Sequence, residues 1–122
     1  MLTVARNLWI IVADGVAHKV IDAQDIDDYD ISKDFDDGCE FMKYWISRGP
    51  VLVHCAAGVS RSASMVICYL MRRDRTSFSK TFSYVKSKRR VICPNDGFID
   101  CLLKEELRLG IRSHLGNNNI KD

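Results

Sequence analysis

The segment His54-Cys55-Ala56-Ala57-Gly58-Val59-Ser60-Arg61, with Ser62 behind it, holds the residue types and spacing best suited to chemistry in this chain. A thiol opens it and a guanidinium closes it. The apolar run Val51-Leu52-Val53 precedes it, and Ser64 to Met71 follows with helical spacing. This order predicts a strand, a tight loop of small residues and a helix N-terminus. Such a terminus presents free backbone N–H groups and the positive end of the helix dipole, and so suits an anion. A thiol placed there ionises readily, with pKa values of roughly 3.5–7.5 in such settings. Arg61 offers a planar fork that matches two phosphate oxygens. Ala56, Ala57 and Gly58 keep the loop thin, so that its amides, with those of Val59 and Ser60, can curl toward one centre. A thiolate, an amide cradle and an Arg together suit attack on phosphorus.

Cleavage of a phosphate ester also needs a general acid, because the leaving oxygen must take a proton. The acidic stretch from Gln24 to Asp37 offers Asp25, Asp27, Asp28, Asp30, Asp34, Asp36 and Asp37. Physical reasoning does not choose among them, and most of them suit solvent or the positive end of a helix dipole.

Alternating elements must position these groups. Leu8 to Ala13 is a continuous apolar run and reads as a buried strand, and His18 to Ala23 as a second. A loop then enters a helix near Lys33, on which Phe41, Met42, Trp45 and Ile46 recur at helical spacing until Gly49-Pro50 stops it. After the loop and its helix, Ser77 is an N-cap for a helix with Phe78, Phe82 and Val85 on one face. Pro94 and Gly97 open a last helix, with Phe98, Leu102 and Leu103 inward, ending near Gly110. Strands alternating with helices predict an α/β fold with a mostly parallel central sheet flanked by helices. Ligands bind at the C-terminal ends of strands in such folds, where the Cys55 loop sits.

The chain has 122 residues, which suits one domain. Its apolar fraction is 47% and its net charge +2, with both signs abundant, so charge implies neither a nucleic-acid nor a membrane partner. No apolar run approaches ~18 residues, and no signal-peptide pattern opens the chain. Five cysteines lack framework spacing and zinc-site spacing, which predicts a reducing compartment and no metal. The basic run Lys86-Ser87-Lys88-Arg89-Arg90 suits a solvated helix end or the docking of an acidic partner. Gly116 to Asp122 are polar and read as frayed.

The pattern His-Cys-x-x-x-x-x-Arg-Ser resembles the signature of the cysteine-dependent protein phosphatases, and Ala56-Ala57-Gly58-Val59-Ser60-Arg61-Ser62 resembles its dual-specificity branch. The resemblance runs from about Leu2 to Leu107, is tightest at 51–70 and 85–102, and is closest to plant members in wording such as Leu2-Thr3-Val4-Ala5-Arg6 and Val85-Lys86-Ser87-Lys88-Arg89. It implies a catalytic domain over 1–110 and a polar tail over 111–122. It implies Cys55 as nucleophile, Arg61 with the loop amides as phosphate ligands, and Ser62 as hydroxyl donor to the departing thiolate. The segment His18 to Asp25 is similar to the family's general-acid loop, with Ile31 and Phe35 at its exit; this implies Asp25 as the acid, with Asp27 or Asp28 as rivals. His54 matches a position that holds the loop and lowers the Cys pKa. Asn95, in Cys93-Pro94-Asn95-Asp96-Gly97-Phe98, matches an Asn that braces the phosphate loop, and it also suits helix capping.

The resemblance further implies a cofactor-free protein phosphatase acting through a cysteinyl phosphate on phosphotyrosine and phosphoserine or phosphothreonine. Its partners would be phosphoproteins, MAP kinases among them, in the cytoplasm or nucleus. Three alternatives stay open: a phosphoinositide or other non-protein phosphatase on the same scaffold, a phospho-dependent binding module without turnover, and an inactive fragment. The uncharged loop side chains favour a singly phosphorylated substrate, and a short chain favours a shallow pocket. Two departures stand out. Family domains begin with a further strand pair and helix, so that Leu8 to Ala13 is expected to expose an edge and lower stability. Cys101 and Glu105 replace the usual Gln and apolar residue, so that the last helix is expected to pack less well.

Overall fold

A computed structural model describes residues 1–4, 15–56 and 59–111. Its sheet is parallel, with β1 (Leu2–Val4) between β2 (Lys19–Ile21) and β3 (Val53–His54). Leu2 faces Lys19 on one side and Val53 on the other, and Thr3 faces Val20 and His54. A central parallel strand is covered on both faces, and Leu2, Thr3 and Val4 are all fully buried. The first strand expected from the sequence, Leu8 to Ala13, lies outside the described residues, and the strand that centres the sheet is the short run before it. The second strand falls where expected. The third is shifted toward the loop: Leu52 is 61% exposed, and only its carbonyl joins the ladder, accepting from the Leu2 N–H at 2.8 Å.

A 3-10 turn at Ile31–Asp34 leads into α1 (Phe35–Ile46). Ile31 of the turn and Phe35, Cys39 and Met42 of the helix face inward. Tyr44, Trp45 and Ile46 are exposed, so the apolar face expected around Trp45 and Ile46 turns outward at the helix end. The next helix, α2 (Arg61–Asp74), begins earlier than its apolar periodicity, with Arg61 and Ser62 in its first turn. It is buried nearly all round, as a helix packed on several sides must be apolar on several sides: Ala63, Met65, Ile67, Cys68 and Met71 meet α1, the sheet and the two later helices. The side chain of Met65 lies against Gly38 of α1, where any side chain would collide with it.

The third helix, α3 (Phe78–Lys88), is capped by Ser77, whose Oγ accepts from the Lys80 N–H at 3.3 Å. The last, α4 (Asp96–Arg108), is capped by Asn95, whose Oδ1 accepts from the Phe98 N–H at 2.8 Å. Phe98 and Leu102 point inward as predicted, but Leu103 is 42% exposed. The inward stripe continues instead through Glu105 and Glu106, each 6% exposed. Position 105 is therefore not loose. Glu105 accepts from Arg72 Nε at 2.6 Å and from Arg108 at 2.7 and 2.8 Å, and Arg72 also meets Asp36 at 3.0 Å. Burial raises the Glu105 pKa, but the hydrogen bonds from Arg108 and Arg72 outweigh it and hold the carboxyl below its usual range. Glu106 accepts from the Phe78 N–H at 2.7 Å and so satisfies the start of α3. Both acids are built into the packing of α4 rather than excluded from it.

Candidate active site

Cys55 leaves the C-terminal end of β3 and is buried. Its Sγ lies 3.2 Å from the Ser62 hydroxyl, within hydrogen-bond reach for sulfur. The helix start at Arg61 makes this pairing: Ser62 sits in the first turn of α2, which rises directly behind the loop. A hydroxyl at that distance can hold the negative charge of a thiolate.

Ala57 and Gly58 lie outside the described residues. The loop around them is tied down at its exit. Val59 accepts from the Cys93 N–H at 2.6 Å through its carbonyl. Ser60 accepts three hydrogen bonds: its Oγ accepts from the Asn95 N–H at 3.0 Å, and its carbonyl accepts from both the Ser64 N–H at 2.9 Å and the Ser64 hydroxyl at 2.8 Å. The 93–95 segment thus braces the loop, but mainly through its backbone.

Arg61 closes the loop. One terminal nitrogen donates to the Ala23 carbonyl at 3.0 Å, which turns the guanidinium back toward the end of β2. Its Nε–H is buried and has no hydrogen-bond partner among the described residues. A buried donor on a fixed cation is costly to leave unsatisfied. A bound oxyanion at this loop is the ligand that would meet it, since Nε and a terminal nitrogen form the bidentate edge of the fork.

His54 serves the sheet. Its Nε2 lies 2.7 Å from the Thr3 hydroxyl, which also lies 3.0 Å from His18 Nε2. Thr3 is therefore a buried hinge pin between the strand ahead of Cys55 and the strand ahead of the acidic loop. Sequence reasoning missed it; the available signal was a polar residue in an otherwise apolar strand.

The acidic loop crosses over the start of α4. Asp25 is exposed, and its Oδ1 accepts from Asn95 Nδ2 at 2.9 Å. Asn95 thus does three things at once. Its side-chain oxygen caps α4, its side-chain nitrogen holds Asp25, and its backbone N–H holds Ser60. The side chain caps α4 as one of the two readings has it, but only the backbone N–H reaches the phosphate loop, and the side-chain amide goes to Asp25 instead. Asp27 and Asp28 are exposed, and the Asp27 carbonyl packs against Gly97, where a Cβ would collide with it. That glycine lets the loop lie flat on the helix start. Tyr29 fastens the loop base by donating to the Asp22 carbonyl at 2.9 Å and meeting Asp34 Oδ2 at 2.6 Å. Thr3, Gly97 and Tyr29 were not singled out from the sequence as site residues, because their roles depend on how distant segments meet.

Comparison with known proteins agrees with this geometry. Residues 2–107 match the family described as dual specificity phosphatase, catalytic domain. The chain is 46% identical over 92 residues to the MAP kinase phosphatase with leucine-rich repeats protein 3 of Dictyostelium discoideum, covering 75% of this chain and 11% of that protein. It is 40% identical over 107 residues to the dual specificity protein phosphatase 1B of Arabidopsis thaliana, covering 87% of this chain and 64% of that protein. The crystal structure of human DUSP28 superposes with a TM-score of 0.85 at 34% identity, covering 89% of this chain and 74% of that one. The chain therefore spans less than two thirds of the length of either of these curated relatives. With a family match over residues 2–107, the chain belongs to the dual specificity phosphatase catalytic-domain family.

Proposed function

We propose that the chain hydrolyses phosphotyrosine and phosphoserine or phosphothreonine in proteins through a cysteinyl phosphate on Cys55, with residues 1–110 as the catalytic unit. The observation that carries this reading is the buried Nε–H of Arg61, without a hydrogen-bond partner among the described residues, at the end of a loop whose first residue is a thiol paired with Ser62 at 3.2 Å. The Cys55 thiolate attacks phosphorus, and the S–P bond forms as the ester P–O bond breaks. Arg61 and the amides of Ala56, Ala57, Gly58, Val59 and Ser60 hold the three equatorial oxygens, whose charge is spread in the transition state. Asp25, held by Asn95, gives its proton to the leaving oxygen. In the second step the Asp25 carboxylate takes a proton from water as the water oxygen attacks phosphorus, and Ser62 donates to the departing thiolate.

The substrates would be phosphoproteins. A relative named as a MAP kinase phosphatase makes MAP kinases a reasonable first set, in the cytoplasm or nucleus. Among the described residues no helix is long and apolar enough to cross a membrane. The described loop side chains, Ala56, Val59 and Ser60, carry no charge, which suits a single phosphate better than an inositol bearing several. A peptide carrying both phosphothreonine and phosphotyrosine tests the reading. Release from both residues is expected, and release from tyrosine alone would leave the cysteine chemistry standing and remove the dual specificity.

A further inference from the structure

Away from the phosphate loop, two more cysteines meet. Cys39 of α1 and Cys68 of α2 place their sulfurs 3.7 Å apart in the core, where they share a hydrogen bond. Neither takes part in the phosphate chemistry. Both are buried, yet Cys39 lines the floor of an open cleft of about 460 Å³, with Glu40, Lys43, Tyr69, Arg72 and Arg73 around it. A water-sized reagent therefore has a route to one sulfur of the pair and not to a lone thiol sealed in the core.

We propose that Cys39 and Cys68 form a second reactive site, a dithiol that hydrogen peroxide converts to an intramolecular disulfide clamping α1 to α2. The reaction is balanced by the peroxide alone. The Cys39 thiolate attacks one peroxide oxygen, the O–O bond breaks, and the departing hydroxide takes up the proton released by the thiol, leaving a sulfenic acid and water. The Cys68 sulfur then attacks the sulfenic sulfur. The S–S bond forms, the S–O bond breaks, and the hydroxyl leaves with the Cys68 proton as a second water. Two thiols are oxidised and one peroxide is reduced.

Three features favour this pair. The first is distance: the sulfurs need to close by about 1.7 Å to reach the ~2 Å of a disulfide, a movement within side-chain rotation and a small helix shift. The second is the division of labour. The hydrogen bond from Cys68 draws the Cys39 thiol down in pKa against burial, with the Arg72 charge assisting, whereas the same bond and burial push Cys68 up. The thiol that faces the cleft is thus the one of the pair whose ionisation is favoured. Glu105 and Asp36, which oppose ionisation of Cys39, are occupied by Arg72 and Arg108. The third is position. The bond would join the helix that follows the acidic loop to the helix that begins with Arg61 and Ser62, so both halves of the phosphate site would be anchored on one cross-link.

The test uses the full chain carrying Cys55→Ser, Cys93→Ser and Cys101→Ser, which leaves Cys39 and Cys68 as its thiols. Treatment with hydrogen peroxide should remove both free thiols, lower the intact mass by two hydrogens without adding oxygen, and give a non-reduced digest in which the Cys39 and Cys68 peptides are joined. The unfolding midpoint should rise by roughly 10 °C, since the closed loop is long, and a dithiol reductant should reverse it. The proposal is overturned if Cys39 stops at a sulfenic or sulfinic acid, if the bond joins two chains, or if the thiols react only once the protein is unfolded. Should the triple variant fail to fold, the same digest of the unsubstituted chain decides: a Cys39–Cys68 peptide supports the site, and Cys39 joined elsewhere or left free removes it.

Discussion

Replacing Asn95 by Asp separates the duties that meet at this one residue. The cap survives, because Asp and Asn serve equally at an N-cap and a carboxylate gains from the helix dipole. The backbone N–H to Ser60 is untouched. What changes is the side-chain nitrogen that now donates to Asp25 at 2.9 Å. In Asn95→Asp an oxygen stands there, facing the Asp25 carboxyl. A hydrogen bond of about 1 kcal/mol net is lost. Asp25 must be protonated to act on a poor leaving group, so like-charge repulsion adds nothing in that form, and the lost bond alone biases its aligned position by roughly 5-fold. Turnover of alkyl and unactivated aryl phosphates should therefore fall by about 5-fold, while an activated aryl phosphate, which needs no proton, should change little. Stability should fall by no more than about 1 kcal/mol, since the gain at the helix dipole offsets part of the lost bond. Steady-state rates across a series of leaving groups, beside a thermal melt, give the answer. An equal loss on every leaving group, or no loss on the poor ones, would show that Asn95 does not act through Asp25.

The same geometry sets three further outcomes. Asp25→Asn should lower turnover on poor leaving groups by about 10²–10⁴-fold; a larger loss from Asp27→Asn or Asp28→Asn, measured in parallel, would move the acid along the loop. Arg72→Met should destabilise by about 3 kcal/mol, because Glu105 would be left buried with only the exposed end of Arg108 for company. Since the Glu105 carboxyl is held below its usual range near 4.5, its contribution is present above that pH and is lost as pH falls through the lower folded value; denaturant midpoints across acid pH should show this loss in the parent chain and a weaker one in Arg72→Met. Gly97→Ala should force the Asp27 backbone off the start of α4 and cut rates on poor leaving groups, and an unchanged leaving-group series would mean that this close contact does not position the acid.

The phosphate loop was legible because its chemistry is local. Cys55, Arg61 and Ser62 lie within one strand–loop–helix unit, and short-range spacing alone brings the Cys55 thiol to the Ser62 hydroxyl. The four helices were legible from apolar periodicity and from the caps Ser77 and Asn95. The centre of the sheet was not. Leu2–Val4 is too short to show a strand pattern and is buried only because strands from far along the chain flank it, whereas the longer apolar run at Leu8 to Ala13 drew attention to itself. Leu103 was misplaced because the helix stripe runs through Glu105 and Glu106, acids that become interior residues only once Arg72 and the start of α3 are in place. The tie between Asn95 and Asp25 joins positions 70 residues apart, and no local pattern announces it.

The central claim is that Cys55 carries the phosphoryl group in transit. In Asp25→Asn, hydrolysis of the intermediate should lag behind its formation from an activated aryl phosphate, since the second step loses its base. Rapid acid quench followed by peptide mass analysis should then find one phosphoryl group on the Cys55 peptide, appearing in a burst equal to the enzyme and absent in Cys55→Ser. A phosphoryl group on any other residue, or steady turnover by Cys55→Ser, would contradict the account.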